Sequence, residues 1–451
     1  MRMPVHTAVP LSGLPGVVWP AVPGDDNARM LALQYQFEQT QWWPAAQLQE
    51  LQLQQFAQIF RHAVTTVPFY QQRYARWADA GIASWDQYRE LPVLTRRDIQ
   101  AGGTTFQSTA VPPEQGEVVS TQSSGSTGSP LVTLGTTWTQ LLWYAFLLRD
   151  HLWHRRDIRG KLAAIRSKTA DGHAPDWGIA TAAFATGPSV VRSLTVDIGE
   201  QVRWLVQENP DYVLSLATNL RALALHSLEL GVRLPRLKQA RTFGETLQSD
   251  TRDIVRAAWG VEIADSYSSE ELGYIALQCP EYEHYHVQSE SLIVEVLDEN
   301  GAPAAPGTIG QVAVSTLHNF AMPLLRYASG DYAVAGLPCA CGRGLPVLTR
   351  VAGRQRNMLV RPDGVRHWPS FPISAWDGIA PVVQLQLVQD AVDHIAARLV
   401  MTRDFSGDER ERLTAALQAC LGYPFRMTLH RVDVIPRGAG QKYEDFMSLL
   451  D

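Results

Sequence analysis

Apolar residues recur at helical spacing through residues 47–63, where Leu48, Leu51, Phe56, Ile59, Phe60 and Ala63 share one face. That period predicts an amphipathic helix. Thr95, with Asp98 three residues later, reads as the capped start of another helix. The aromatic, apolar run 138–148 predicts a buried helix. From about 160 to 275, short apolar stretches at 162–165, 212–216 and 261–264 predict strands, and 220–230 and 251–259 predict helices between them. This alternation favours an α/β fold with layered sheets and helices and a largely parallel sheet. The pattern then changes: residues 292–297 and 311–315 flank a Pro/Gly-rich turn and predict an antiparallel β region. Past Gly353, strands at 382–388, 395–400 and 427–432 with a helix at 408–420 predict a small α+β unit. The expected division is a large N-terminal domain, residues 1–353, and a C-terminal lid, residues 354–451.

Composition changes this picture little. A chain of 451 residues is long for one core, which agrees with two domains. Its net charge of −6 carries no basic excess, which argues against nucleic acid as a partner. No apolar run reaches the length of a signal peptide core or a membrane span, so a cytoplasmic protein with no membrane partner is expected. Four cysteines are too few for a disulfide framework.

Candidate chemistry begins at residues 123–130, where five hydroxyl side chains and two glycines crowd together. Such a loop can wrap a polyphosphate, since glycines let backbone N–H groups approach and hydroxyls add donors. Alone, it reads more readily as a Ser/Gly-rich linker. Further motifs follow in order: Thr242-Phe243-Gly244-Glu245, then Asp265-Ser266-Tyr267-Ser268-Ser269-Glu270-Glu271, then Arg326-Tyr327-Ala328-Ser329-Gly330-Asp331, then Gly353-Arg354, and finally Ile435-Pro436-Arg437-Gly438-Ala439-Gly440-Gln441-Lys442. This ordered set resembles the adenylate-forming superfamily of acyl-CoA synthetases, most closely its phenylacetate–coenzyme A ligase branch. The phrase Thr316-Leu317-His318-Asn319-Phe320-Ala321-Met322-Pro323 and Cys341-Gly342-Arg343 carry the resemblance to that branch.

The resemblance implies ATP-dependent activation of a carboxylic acid, aromatic by analogy, as an acyl-adenylate, followed by transfer to coenzyme A. Ser123, Ser124, Gly125, Ser126, Thr127 and Gly128 would hold the β,γ-phosphates. Glu271 would bind Mg²⁺, a hard cation that prefers oxygen donors. Tyr267 would stack on adenine, with Gly244, Glu245 and Ser266 among the nucleotide-binding residues. Asp331 would accept from the ribose hydroxyls, Arg354 would sit near the ribose and the hinge, and Lys442 would bridge the attacking carboxylate and the α-phosphate. The chain departs from the family pattern at Glu270, where a hydroxyl residue is common, and at Gln355-Arg356-Asn357, where an acidic hinge residue is common. Two alternatives stay open: transfer to a carrier-protein thiol or an amine, and a non-catalytic nucleotide-binding scaffold. Retention of Glu271 and Lys442 argues against the scaffold. A homodimer also stays open.

Cys279, His286, Cys339 and Cys341 offer three thiolates and one imidazole, a set that suits a tetrahedral structural Zn²⁺ site. His284 can replace His286. Similar Cys/His sets occur in the branch that the chain resembles.

Overall fold

The structure is a computed structural model that describes residues 9–122, 131–167, 169–436 and 443–450. Its centre is a twelve-stranded mixed sheet. Five neighbouring strands run parallel: Glu262–Ser269, Gln239–Phe243, Tyr212–Leu216, Leu162–Arg166 and Ser189–Ser193. Tyr212–Leu216 is buried at every position, as a strand covered on both faces must be. Helices Ile198–Glu208, Ala217–Glu229 and Thr251–Trp259 cover one face through a core that includes Val213, Leu220, Ala240, Val255 and Ile263. The long helix Thr137–Trp153 packs with helix Asp25–Thr40 and strand Gly273–Gln278 around Phe37, Phe146 and Leu277.

Beyond Glu262–Ser269 the same sheet turns antiparallel, through Gly273–Gln278, Tyr285–Val287, Val347–Arg354, Tyr327–Ala335, Ile309–Thr316 and Leu292–Leu297. The amphipathic helix expected at 47–63 runs Ala45–Thr66 and buries Phe56, Ile59, Phe60 and Ala63 against this half. Thr95 and Asp98 form a reciprocal capping box at the start of Arg96–Gly102. The sequence pattern did not reveal a two-stranded ribbon, Val118–Gln122 with Val132–Thr136, which lies outside the main sheet. It brackets the Ser/Gly-rich residues 123–130, which lie outside the described residues.

The chain past Gly353 builds a separate four-stranded sheet. Val382–Ala391 pairs antiparallel with His394–Met401 and parallel with Phe446–Ser448, and Arg426–Arg431 completes the far edge. Helix Gly407–Leu421 closes a core of its own around Leu387, Ile395, Leu413 and Phe446. Polar contacts join this sheet to the large one. Gln248 donates to Asp445 Oδ2 at 2.7 Å, and Ile373 N–H to Asp250 Oδ2 at 2.8 Å.

Candidate active site

Open α/β sheets bind ligands beyond the carboxyl ends of their parallel strands. Gly244 and Glu245 follow directly on Gln239–Phe243, and Ser266 and Tyr267 lie in the last half of Glu262–Ser269. Gly244 has a φ of +73°, a left-handed conformation that a side chain would strain. The turn it makes places the Glu245 carboxylate against the start of the helix Ala217–Glu229. There Thr218 donates to Glu245 Oε2 from its backbone at 2.9 Å and its hydroxyl at 2.7 Å. The other oxygen, Oε1, accepts from the backbone N–H of Tyr443 at 3.0 Å. Glu245 thus joins the large sheet to the terminal segment. Lys442, the adjacent residue, lies outside the described residues, as do Ser123, Ser124, Gly125, Ser126, Thr127 and Gly128.

Tyr267, Asp331 and Arg354 come from three strands and meet. The Tyr267 hydroxyl donates to Asp331 Oδ2 at 2.8 Å. Asp331 and Arg354 are register partners, with Arg354 Nε 3.6 Å from Asp331 Oδ1. Burial and the neighbouring Asp331 carboxylate hold the Tyr267 phenol well above its ordinary range. It therefore stays protonated and remains a donor. An ionised carboxylate accepts about four hydrogen bonds, so Asp331 keeps acceptor capacity beyond Tyr267. Ser266 is turned back on the sheet, its hydroxyl donating to the Thr242 carbonyl at 3.2 Å.

Glu270 and Glu271 form the turn before Gly273–Gln278 and reach a cavity of about 290 Å³. Thr121, Trp143, Tyr144, Tyr274 and His318 are among the other residues that line it. Glu270 is exposed and Glu271 half-buried. Trp143 and Tyr274 lean on one another with ring centroids 4.8 Å apart. His318 Nε2 lies 2.9 Å from the Glu290 carbonyl, and burial lowers its pKa, so the ring is neutral at pH 7. The aromatic positions of helix Thr137–Trp153 thus divide: Phe146 stacks on Phe37 in the core yet borders the cavity, while Trp143 and Tyr144 are only partly buried.

The Cys/His residues also converge. One donor atom each from Cys279, His284, His286 and Cys339 lies within 4.8 Å of the others. His284 and His286 flank Tyr285 in an extended segment, so both rings fall on one side. His284 Nε2 is 2.9 Å from Cys339 Sγ, and Cys341 Sγ is 3.4 Å from His286 Nε2. The sequence offered His284 as a substitute for His286; the structure brings both together, with Cys341 at the margin. Two buried or half-buried thiols and two imidazoles form a donor set suited to Zn²⁺.

Sequence reasoning missed a buried charge cluster behind this region. Asp150 lies 2.7 Å from both Arg156 Nη1 and Arg241 Nη2. Burial alone would raise its pKa, but the two guanidiniums overcome that and hold the carboxylate strongly ionised. His151 and His154 beside it are kept neutral, by burial first and by the same arginines second.

The chain is 25% identical to a phenylacetate–coenzyme A ligase of Thermus thermophilus over 447 residues, spanning 90% of this chain and 97% of that one. It is 26% identical to the Escherichia coli enzyme of the same name, over 76% of this chain and 79% of that one. The resemblance to the phenylacetate–coenzyme A ligase branch is borne out. No protein-family model matches. A 2-hydroxyisobutyryl-CoA ligase in its postadenylation state superposes with a TM-score of 0.73 at 17% identity, covering 91% of each chain. The same enzyme in its thioesterification state, with 2-HIB-AMP and CoA, gives 0.60. The fold is that of the adenylate-forming coenzyme A ligases. Among the described residues, no helix is long and apolar enough to cross a membrane.

Proposed function

We propose that the protein is an ATP-dependent, AMP-forming acid–coenzyme A ligase whose acid is aromatic. In the first step the carboxylate attacks the α-phosphorus of ATP, the bond to pyrophosphate breaks, and an acyl-adenylate forms. In the second, the thiolate of coenzyme A attacks the acyl carbon and AMP departs with the anhydride oxygen. Charge grows on the α-phosphate in the first step, so fixed cations and donors aimed there lower the barrier. Lys442 is assigned that task. Residues 123–128 hold the phosphates, Gly244, Glu245, Ser266 and Tyr267 hold the adenine side, and Asp331 with Arg354 holds the ribose side.

The observation that carries this reading is the contact at Glu245. The amide of Tyr443, one residue past the assigned lysine, docks on the residue assigned to the base pocket. Two halves of the motif set, 198 residues apart, therefore meet at one point. Tyr267 and Asp331, from separate motifs 64 residues apart, meet in the same way. The first contact fits a lid, residues 354–451, that closes over the nucleotide and shifts between the two half-reactions.

Glu271 suits Mg²⁺ because its half-buried carboxylate lines the cavity that borders the Ser/Gly-bearing ribbon; when bound, the ion would shield the phosphate charge. Cys279, His284, His286 and Cys339, with Cys341 beside them, suit a structural Zn²⁺ that pins the loop between Tyr327–Ala335 and Val347–Arg354. Such an enzyme would work in the cytoplasm. The test is pyrophosphate release with ATP and Mg²⁺ across aryl, fatty and amino acids, with and without coenzyme A. Acid-dependent release that a K442A variant abolishes, while ATP still binds, supports the reading. Equal release by K442A removes the role given to that lysine, and silence with every acid removes adenylation.

A further inference from the structure

Asp250 stands just before the helix Thr251–Trp259, where an aspartate ordinarily caps the first turn. Its carboxylate makes no cap bond there. Arg221 takes it instead, with Nε 3.0 Å from Oδ1 and Nη2 2.6 Å from Oδ2, and both side chains are largely buried. Oδ2 also accepts from the backbone N–H of Ile373 at 2.8 Å, across the boundary to the lid. The Ile373 side chain packs against the helix-covered core of the large sheet and against the core of the small one.

Glu245, earlier in the same loop, repeats the arrangement. Thr218 of the large domain holds one of its oxygens, and the other accepts a main-chain N–H of the lid, that of Tyr443. Thr218 and Arg221 lie three residues apart on the helix Ala217–Glu229, hence on the same face. One helix face therefore aims two carboxylates at two lid amides. Gln248 and Ser249 add side-chain contacts between them, to Asp445 at 2.7 Å and to the Ser370 hydroxyl at 3.0 Å. The docked terminal segment is bound in turn to the lid's own elements. Asn357 donates to the Phe446 carbonyl at 2.7 Å, and Gln386 to the Glu444 carbonyl at 2.9 Å. Segment and lid sheet therefore move together.

We propose that Asp250 is a positioning residue for adenylation: with Glu245 it docks the main chain of the lid, so that the segment carrying Lys442 stays over the nucleotide. This rests on the task assigned to Lys442 and names the residue that fixes the orientation for it. Both carboxylates are already held by the large domain, so docking orders no further side chain there. Undocking leaves neither charge bare, since Arg221 stays with Asp250 and Thr218 with Glu245. The same contacts can therefore open for the second step.

The test separates the two half-reactions in the wild type, D250A and I373P. The second variant removes the donor from the other side of the bond, and Pro372, with a ψ of 141°, already has the backbone that precedes a proline. Pyrophosphate release from ATP and phenylacetate, or whichever acid of the panel the wild type activates, reads the first step without coenzyme A. Thioester formation from the matching acyl-adenylate and coenzyme A reads the second. A first rate that falls at least tenfold more than the second, in both variants, is the expected result. Equal losses in the two steps, or none, overturn the proposal while leaving adenylation intact. Should the orphaned Arg221 unfold D250A, I373P carries the comparison alone. If no acid releases pyrophosphate, the functional reading falls, and hydrogen exchange decides the dock separately. Either variant should then speed exchange of the Tyr443 amide, which neither substitution touches, at least tenfold; unchanged exchange overturns the dock.

Discussion

Arg326 offers the most demanding test of how the site is supported. Its side chain is 4% exposed and its partner Glu295 10%. The pair is bidentate, Nε to Oε2 at 2.9 Å and Nη2 to Oε1 at 3.0 Å. Nη1 also satisfies the carbonyls of Arg89 and Leu91, and Tyr88 donates to the same carboxylate at 3.1 Å. Replacing Arg326 by Ala leaves a buried carboxylate with one donor and two carbonyls with none. Breaking a buried pair on one side costs about 3–5 kcal/mol. The orphaned carbonyls are part of that figure and are not added to it, and the backbone gives no relief, since φ of +49° strains Ala as it strains Arg. At about 2 °C per kcal/mol, the low end suited to a large unit, R326A should melt on the order of 6–10 °C lower. Scanning calorimetry reads this directly. The double variant E295M/R326M, which removes both charges, should recover most of the loss. A drop under about 2 °C in R326A, or a double variant worse than the single one, would refute the account. Because the strand Tyr327–Ala335 starts beside Arg326 and carries Asp331, pyrophosphate release should fall in R326A even below its melting range.

Three further outcomes are expected. Purified protein should hold about one zinc per chain, and strong chelation should lower its melting temperature and change tryptophan emission, because Trp153 lies 5.9 Å from His286 and Arg343 stands 4.7 Å from both Trp42 and Trp153; unchanged melting in metal-free protein counts against the site. Y267F removes a charge-assisted donor from Asp331, worth roughly 1.5–3 kcal/mol, and should raise KM for ATP more than it lowers kcat; an unaltered KM removes Tyr267 from the nucleotide side. Burial lifts Asp445 from 3.8 to about 6, with Arg221 pulling the other way, so the folded protein holds a proton that the unfolded chain has released. Stability should therefore fall as pH rises from about 4 to 6 and then level off; D445N should lack that component, and identical melting profiles for the two proteins would refute it.

The parts of this molecule that depend on local pattern were legible in its sequence. The run Tyr212–Leu216 could be read because a strand covered on both faces needs five apolar or small residues in a row. Thr95 and Asp98 could be read because a capping box is local. The Cys/His residues could be listed, but not their membership: His284 and His286 differ by one alternation along the chain, and only the turn from Cys279 to His284, closed by a 2.8 Å backbone bond, shows that both reach Cys339. Long-range pairings left no trace. Asp150 and Arg241 are 91 residues apart and Arg326 and Glu295 31, with nothing in either segment to mark the partner.

The two halves of the large sheet carry different duties, and their junction explains why the site sits where it does. Parallel strands end in loops that can present Gly244, Glu245 and Tyr267, but their direction is fixed by crossovers, so they supply groups from one side only. The antiparallel half returns along itself and brings Asp331 and Arg354, on adjacent strands, to face Tyr267. Its far turns carry the Cys/His cluster, so a metal there would stiffen the strand that bears Arg354 without touching the nucleotide. The terminal unit attaches at Glu245, Gln248 and Asp250, which brings its last segment over the same edge.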